Sequence, residues 1–479
     1  MSEIQSVETG KSTLSPDVKR FLLLALSVAL GAVAYLLPIA ASPTAHKALG
    51  VTIFMLAMFV TEPVPLGVTG LLGCLLFWMW AGIPLPKAFS GFTNDTPWFI
   101  LGVLLLGLMA EKTGLAKRIA YNIICRLGTS YSKILAGMMV VNFLLTFIVP
   151  SGLAKTLVLC TIAIGMIETY GLAKGSNIGK SLILAMTYQS GLFDKMIIAG
   201  AASILARGLI ESVGNVHVSW SLWLIAFLPI AFLNIVACWW LMLKLFPPEK
   251  KTLEGGAEYC RTELTKMGHM SADEVKACII MGISTIMWAT DIFHHISPSK
   301  IGITAGLVAC LPVIGALKRD DFNKANFPIV VFIAAAMCLG NVMSDTEILK
   351  NLTAATFQFM TPIIHAGSWF AALFLYWYAN LFHLFLANEP SMIAATMPSL
   401  MQFSIKNGFN PLAMGMVWAF AAEGKVFIYQ SAVLAVGYAF GYFTTRDLFK
   451  FGICLFFVES FLIMAIIPWY WPLLGLTFR

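Results

Sequence analysis

From Ile134 to Val149 the chain carries no charged side chain, and from Thr156 to Ile167 it again carries none. Such stretches leave few folds open, because roughly 20 consecutive apolar residues cross the hydrocarbon of a bilayer as one helix. Comparable runs start near Phe21, Val51, Leu66, Trp98, Ser181, Ser221, Val275, Ile301, Ile329, Ser368, Pro411, Val433 and Phe449. Of 479 residues, 59% are hydrophobic and 11% charged, whereas a soluble domain is about 25% charged. Lipid is therefore the expected solvent. The runs are continuous, unlike the short alternating segments of a membrane barrel. The sequence predicts an all-α polytopic membrane protein with roughly ten to twelve spans plus re-entrant pieces.

Residues 1–18 are polar and mixed in charge, and read as a cytoplasmic tail before the first span. They lead into a run longer than a signal-peptide core, without a small-residue cleavage site. The nine cysteines are scattered with no CxxC pair, so they read as packing residues and no metal or cofactor is expected. The net charge of +7 needs no nucleic-acid partner, since Lys and Arg accumulate on cytoplasmic loops of membrane proteins. Trp and Tyr near span ends fit an interfacial aromatic belt.

The longest polar stretch, from Pro247 to about Asp273, divides the chain. The expected organisation is a first repeat at 19–246, a partly helical cytoplasmic linker at 247–274 and a second repeat at 275–479. Three stretches of the first part have echoes in the second. Glu111–Lys117 is echoed by Ser344–Lys350, Ser151–Lys155 by Ala387–Ser391, and Gly191–Lys195 by Ala421–Lys425, all offset by about 230–236 positions. Three matches in one order at nearly one offset point to an internal repeat. Lys112, Lys117, Arg118, Arg126 and Lys133 face only Glu111 in the first connecting segment, whereas Lys350 faces Asp345 and Glu347 in the second. The positive-inside rule places the first segment in the cytoplasm and the second outside. Equivalent elements then face opposite sides, the inverted-repeat plan of secondary transporters.

Each half contains one interruption. Pro150-Ser151-Gly152 breaks the first, and Asn388-Glu389-Pro390-Ser391 breaks the second, with Pro390 suited to a first helical position. A broken helix at membrane depth survives only where protein or a water-filled cavity satisfies its backbone. The half-helices following the breaks, the first starting near Leu153, would point free amides and positive dipole ends at one place, which suits an anion. Lys155, Asp194, Lys195, Glu389, Glu423 and Lys425 all lie within or beside apolar segments. Each costs about 2.5–3.5 kcal/mol at a helix centre, so a shared polar cavity is more economical than six separate burials. His383 reads as a satisfied core histidine, and His294 and His295 as interfacial.

These features resemble the divalent anion–sodium symporter family, carriers of succinate, malate, citrate and sulfate. The resemblance covers roughly residues 20–475. It rests most on Trp288-Ala-Thr-Asp291 with His295-Ile-Ser-Pro298 and a following Pro312, and on Arg446-Asp-Leu-Phe-Lys450 at the start of the last span. It implies two re-entrant hairpins, a scaffold against which a transport domain moves as an elevator, and a homodimer in the plasma (cell inner) membrane. The family's Ser-Asn-Thr motifs and Thr-Pro-Pro-Asn-like loops hold carboxylates and sodium. Here the first motif reads Ser151-Gly152-Leu153-Ala154-Lys155-Thr156, and the second keeps only Asn388 before Glu389. Phe193-Asp194-Lys195 and Glu423-Gly424-Lys425 stand where the loops belong.

The expected substrate site is therefore Ser151, Gly152, Lys155, Thr156, Asn388, Glu389 and Ser391, with Asp194, Lys195, Glu423 and Lys425 for ion coupling or charge replacement. Lysines in place of sodium ligands point to a carrier of small di- or tricarboxylates that works without sodium, by exchange or with protons carried by Glu389 and Glu423. A sodium-coupled dicarboxylate or sulfate symporter and a carrier of zwitterions are the alternatives. Ser151 beside Lys155 superficially suggests a Ser–Lys dyad, but an enzyme has no reason to duplicate the element in inverted form. His-Glu-x-x-His, Gly-x-Ser-x-Gly and P-loop motifs are absent. A passive channel would lack saturable exchange.

Overall fold

The computed structural model describes residues 15–37, 42–346, 353, 356–386, 388–422 and 424–479. Most of the expected tail, Ala387 and Glu423, and Glu347 and Lys350 of one echo lie outside the described residues. Among the described residues the protein is all-helical. Among the described residues, seven helices are long and apolar enough to cross a membrane by length and composition. This is fewer than ten to twelve, because several apolar runs end up as shorter helices, among them Leu66–Met79, Tyr131–Thr146 and Pro411–Ala421.

Among the described residues, the helices of eight or more residues are α1 (Pro16–Leu36), α2 (Pro43–Thr61), α3 (Leu66–Met79), α4 (Asp95–Thr113), α5 (Leu115–Ile124), α6 (Tyr131–Thr146), α7 (Gly152–Thr169), α8 (Asn177–Met196), α9 (Ala201–Ser212) and α10 (Trp220–Leu245). The polar segment contributes α11 (Gly256–Lys266). Then follow α12 (Ala272–Ala289), α13 (Pro298–Val308), α14 (Phe327–Asp345), α15 (Ser368–Phe385), α16 (Glu389–Lys406), α17 (Pro411–Ala421), α18 (Ala432–Ala439) and α19 (Thr445–Tyr470). Their starts obey local chemistry. Ser42 caps α2 ahead of Pro43, Ser219 caps α10, and Thr444 forms a capping box with Asp447 at α19.

Packing is reciprocal between the parts. Helix α4 packs on α13, and α14 on α3. The hairpin α6–α7 lies against α8, as α15–α16 lies against α17. The short α9 packs on α16 and α17, while the short α18 packs on α7 and α8. Each piece that follows a mid-chain break is thus inserted beside the hairpin of the other part. Helix α10 meets α19 through a buried carboxylate: Glu459 accepts from Asn234 Nδ2 at 3.0 Å and from Tyr376 Oη at 2.7 Å.

The stretch singled out at Trp288–Pro298 fastens α12 and α13 to α10. Trp288 stacks on Trp220 with centroids 6.1 Å apart, and its indole donates to Pro298 O at 3.0 Å. Asp291 takes Trp220 N at 2.7 Å and Ser221 N at 3.3 Å, so a carboxylate sits at the positive end of α10. The outward faces are greasy. Ile279, Ile283 and Ile286 of α12 are all more than half exposed, as an acyl-chain solvent allows. The polar linker is docked rather than loose: Tyr131 N donates to Lys251 O at 3.1 Å, and Arg118 pairs with Glu274 at 2.6 Å.

Candidate functional site

The first break places its hydroxyl residue at a helix start. Ser151 adopts extended backbone and its Oγ accepts Ala154 N at 3.3 Å, so α7 begins at Gly152, one residue before the expected Leu153. One turn on, Lys155 is fully buried. Its ammonium lies 2.7 Å from Thr146 Oγ1 and 2.8 Å from Asp194 Oδ1. Gly152 makes this geometry accessible. A Cβ there would lie 2.6 Å from Asp194 Oδ2 and 3.2 Å from Val433 Cγ2, so the start of α7, the end of α8 and the start of α18 meet at a residue without a side chain.

The second break is built alike. Asn388 is extended, its Oδ1 accepts Ser391 N at 3.0 Å, and α16 opens with Glu389 and Pro390. Pro390 therefore occupies the second helical position rather than the first. The Glu389 carboxylate binds two ammonium groups, Lys195 at Oε2 and Lys425 at Oε1, the latter at 2.5 Å. The lysine side chains are 2% and 1% exposed and that of Glu389 14%, which puts the carboxylate on the cavity side of the pair. A pair buried this deeply holds only when both partners are present.

The lysine backbones are fixed by other means. Lys195 O accepts the Trp223 indole at 2.9 Å. Tyr188 Oη donates to Lys425 O and accepts Lys425 N, each at 3.1 Å. Lys195 ends α8 just before the break at 197–200, and Lys425 lies in the longer break between α17 and α18. Both breaks of both parts thus converge.

Beside them is a cavity of about 880 Å3 lined by Ser151, Gly152, Asp194, Lys195, Asn388 and Glu389, together with Gly200, Val426 and Ser431. Its wall extends to Asn326 ahead of α14 and to Thr445 at the start of α19. Ser391 Oγ and Thr156 Oγ1 are buried without a hydrogen-bond partner among the described residues, and neither residue lines the cavity. Of the expected residues, Ser151, Gly152, Asp194, Lys195, Asn388 and Glu389 therefore line the cavity, and Lys155 and Lys425 do not line it but contact it through their ion pairs with Asp194 and Glu389. Thr156 and Ser391 sit behind them, and Glu423 lies outside the described residues. His383 is a core residue, buried with Nε2 3.2 Å from Gln430 O.

Four residues escaped the sequence reading. Thr146 and Tyr188 are ordinary helix residues whose partners only the fold identifies. Glu62 follows α2, lines the cavity and accepts a hydrogen bond from Asn388 Nδ2. Arg207 on α9 is 2% exposed, pairs with Glu211 at 2.7 Å, approaches Asp95 of α4 to 3.8 Å and donates to Ser299 of α13. Both charges break apolar surroundings, so the rule that exposed Lys155 also applied to them.

A cavity at two helix starts, backed by lysines, is suited to holding an anion. Comparisons with known proteins agree. The chain is 23% identical to the putative malate transporter YflS of Bacillus subtilis, over 95% of this chain and 96% of that protein. It is 25% identical to the L-tartrate/succinate antiporter of Escherichia coli K12, over 67% of this chain and 71% of that one. It is 26% identical to a Cupriavidus necator membrane protein, of which it spans about half, 52%, using 55% of its own length. The solved structure of Neisseria gonorrhoeae MtrF superposes with a TM-score of 0.57 at 11% identity over 96% of both chains, a likeness of fold alone. The protein is thus a multi-pass membrane transporter and not an enzyme. The profile described as the sodium:sulfate symporter transmembrane region matches residues 18–477, nearly the whole chain, and the protein belongs to that family.

Proposed function

We propose that the chain is a secondary active transporter of small organic anions, di- or tricarboxylates, that works without sodium, with Lys155, Lys195 and Lys425 in place of the metal ions. The observation that carries this is the burial of three ammonium groups where both breaks converge on one cavity. Sodium is held by several oxygens. A site furnished with Nζ atoms already has its cations, so exchange of one anion for another needs no imported metal. The antiporter named among the relatives fits exchange. Proton coupling through Glu389 and Glu423 is the second route, which requires Glu389 to part from Lys195 and Lys425 before it takes a proton, since two ammonium groups favour its ionised form. A sodium-coupled symporter is the alternative that another relative favours, the sodium-dependent dicarboxylate transporter SdcS of Staphylococcus saprophyticus, 26% identical over 58% of this chain and 56% of that one. A zwitterionic substrate would suit a cavity in which lysines and carboxylates balance.

The reciprocal packing of α9 and α18 supports an inverted repeat, with hairpins α6–α7 and α15–α16 and both broken spans as the part that moves as an elevator. Lys112, Lys117 and Arg118 put the end of α4 in the cytoplasm. Lys112 pairs with Asp321, just ahead of Asn326, so the cavity is read as reaching the cytoplasmic side. The N-terminus is cytoplasmic, the membrane is the plasma membrane, and the carrier works as a homodimer in this reading. The test is uptake of radiolabelled succinate, malate, tartrate and citrate into proteoliposomes, empty or preloaded with the same anion, in sodium or choline buffer. Preloading is expected to accelerate uptake, with choline as effective as sodium. Strict sodium dependence without counterflow would refute it.

A further inference from the structure

We propose that Glu389 is a tethered stand-in for a substrate carboxylate, which substrate must displace from Lys195 and Lys425 in order to bind. The inference rests on the transport reading above and adds the chemistry of the substrate's head group. Two ammonium groups meet the two different oxygens of one carboxylate, Lys195 at Oε2 and Lys425 at Oε1. Such an arrangement is a carboxylate receptor, and it is filled by the chain itself.

The lysines are held independently of their guest, through Trp223 and the Tyr188 hydroxyl. The guest is the more adaptable partner. Glu389 is the first residue of α16, its side chain has three rotatable bonds, and its neighbour Asn388 keeps the helix start capped whichever way Glu389 points. Glu389 is the most exposed of the three and lines the cavity, whereas Lys425 does not, so an anion entering the cavity reaches the Glu389 carboxylate before the Lys425 ammonium. Substitution of one carboxylate for another keeps a carboxylate on both ammonium groups in the bound and in the empty carrier. Internal competition also lowers apparent affinity by the fraction of carrier in which the receptor is vacated.

The test uses the purified full chain in detergent, with tryptophan fluorescence read during thermal unfolding and formate, acetate, succinate, sulfate and chloride compared at fixed ionic strength. Glu389→Ala is expected to melt lower than wild type and to be restored by formate and acetate, but not by sulfate or chloride. Wild type should not respond to the monocarboxylates, and Glu389→Ala with Lys425→Met should lose the response. Glu389→Gln keeps the shape without the charge. It is expected to bind succinate at least tenfold tighter than wild type, since less than about a tenth of the wild-type receptor would be vacated. Monocarboxylate rescue that sulfate equals, or that persists without Lys425, would overturn the proposal. So would succinate binding to Glu389→Gln no tighter than to wild type, which settles the matter should Glu389→Ala not survive purification. Monocarboxylate rescue in a protein whose wild type exchanges no anion would keep the receptor and refute the transport reading instead.

Discussion

Removing the Asp194 charge is expected to harm the protein more than removing Asp194 and Lys155 together. At 2.8 Å the pair attracts with about 6 kcal/mol at an effective dielectric near 20, which desolvation of both groups largely offsets. Asp194→Asn leaves the buried Lys155 ammonium without the Asp194 carboxylate, a loss of about 3–5 kcal/mol. Lys155→Met leaves the opposite charge and a similar loss. The double variant buries no charge at this point and is expected to return close to wild-type stability. For a chain of this length 3–5 kcal/mol amounts to about 3–5 °C in melting temperature, and full recovery in the double variant corresponds to a coupling of about 6–10 kcal/mol, above the roughly 0.5–3 kcal/mol of ordinary contacting pairs because each single variant strands a buried charge. The assay is a double-mutant cycle by thermal unfolding in detergent, with uptake measured in parallel. The account predicts two low melting temperatures, a recovered double variant and loss of uptake in all three. Additive melting shifts would refute the pairing. Full uptake by the recovered double variant would refute a role for the pair in transport.

Gly152→Ala brings a methyl group to 2.6 Å from Asp194 Oδ2, so it is expected to raise the KM for uptake at least tenfold with a smaller loss of stability, measurable in the same vesicles. Tyr188→Phe removes both hydrogen bonds to the Lys425 backbone and is expected to cost about 1–3 kcal/mol, since buried polar groups are left unpaired, and to weaken substrate binding in thermal-shift titrations. Asp321 lies outside the spans, and the ammonium of Lys112, helped by Lys318 N and Lys324, holds its carboxyl below the ordinary aspartate value of 3.8. A lowered folded-state pKa gives stability that is fully present above the unfolded value and lost as pH falls through the folded one. The stability gap between wild type and Asp321→Asn is therefore expected to be flat above about pH 5 and to shrink only below about pH 4.

Much of the candidate site was legible in the sequence because lipid makes charge expensive. Lys155, Lys195, Glu389 and Lys425 stood out in apolar runs for that reason, and the fold brings them together. Arg207, Glu62 and Glu459 obeyed the same rule but sat beside no break or echo, so nothing drew the eye to them. Thr146 and Tyr188 were illegible, since a hydroxyl on a buried helix declares no partner until the neighbouring break is in place. The helix starts after the two breaks were readable to within one residue, from Pro150-Ser151-Gly152 and from Pro390, and the capping by Ser151 and Asn388 emerged only in the fold. Span number is not fixed by the apolar runs, because a run's apolarity says nothing of whether it crosses, halts midway or turns back. Pairing between the parts, α9 on α16 and α18 on α7, depends on contacts that no local pattern encodes.

The most direct measurement is a density map of the transporter in lipid nanodiscs with a dicarboxylate and choline as the added cation. The account predicts the dianion in the cavity between Ser151 and Asn388, one carboxylate within contact of Lys195 and Lys425 and no metal beside it. Substrate bound away from those lysines, or binding only when sodium is supplied, would contradict it.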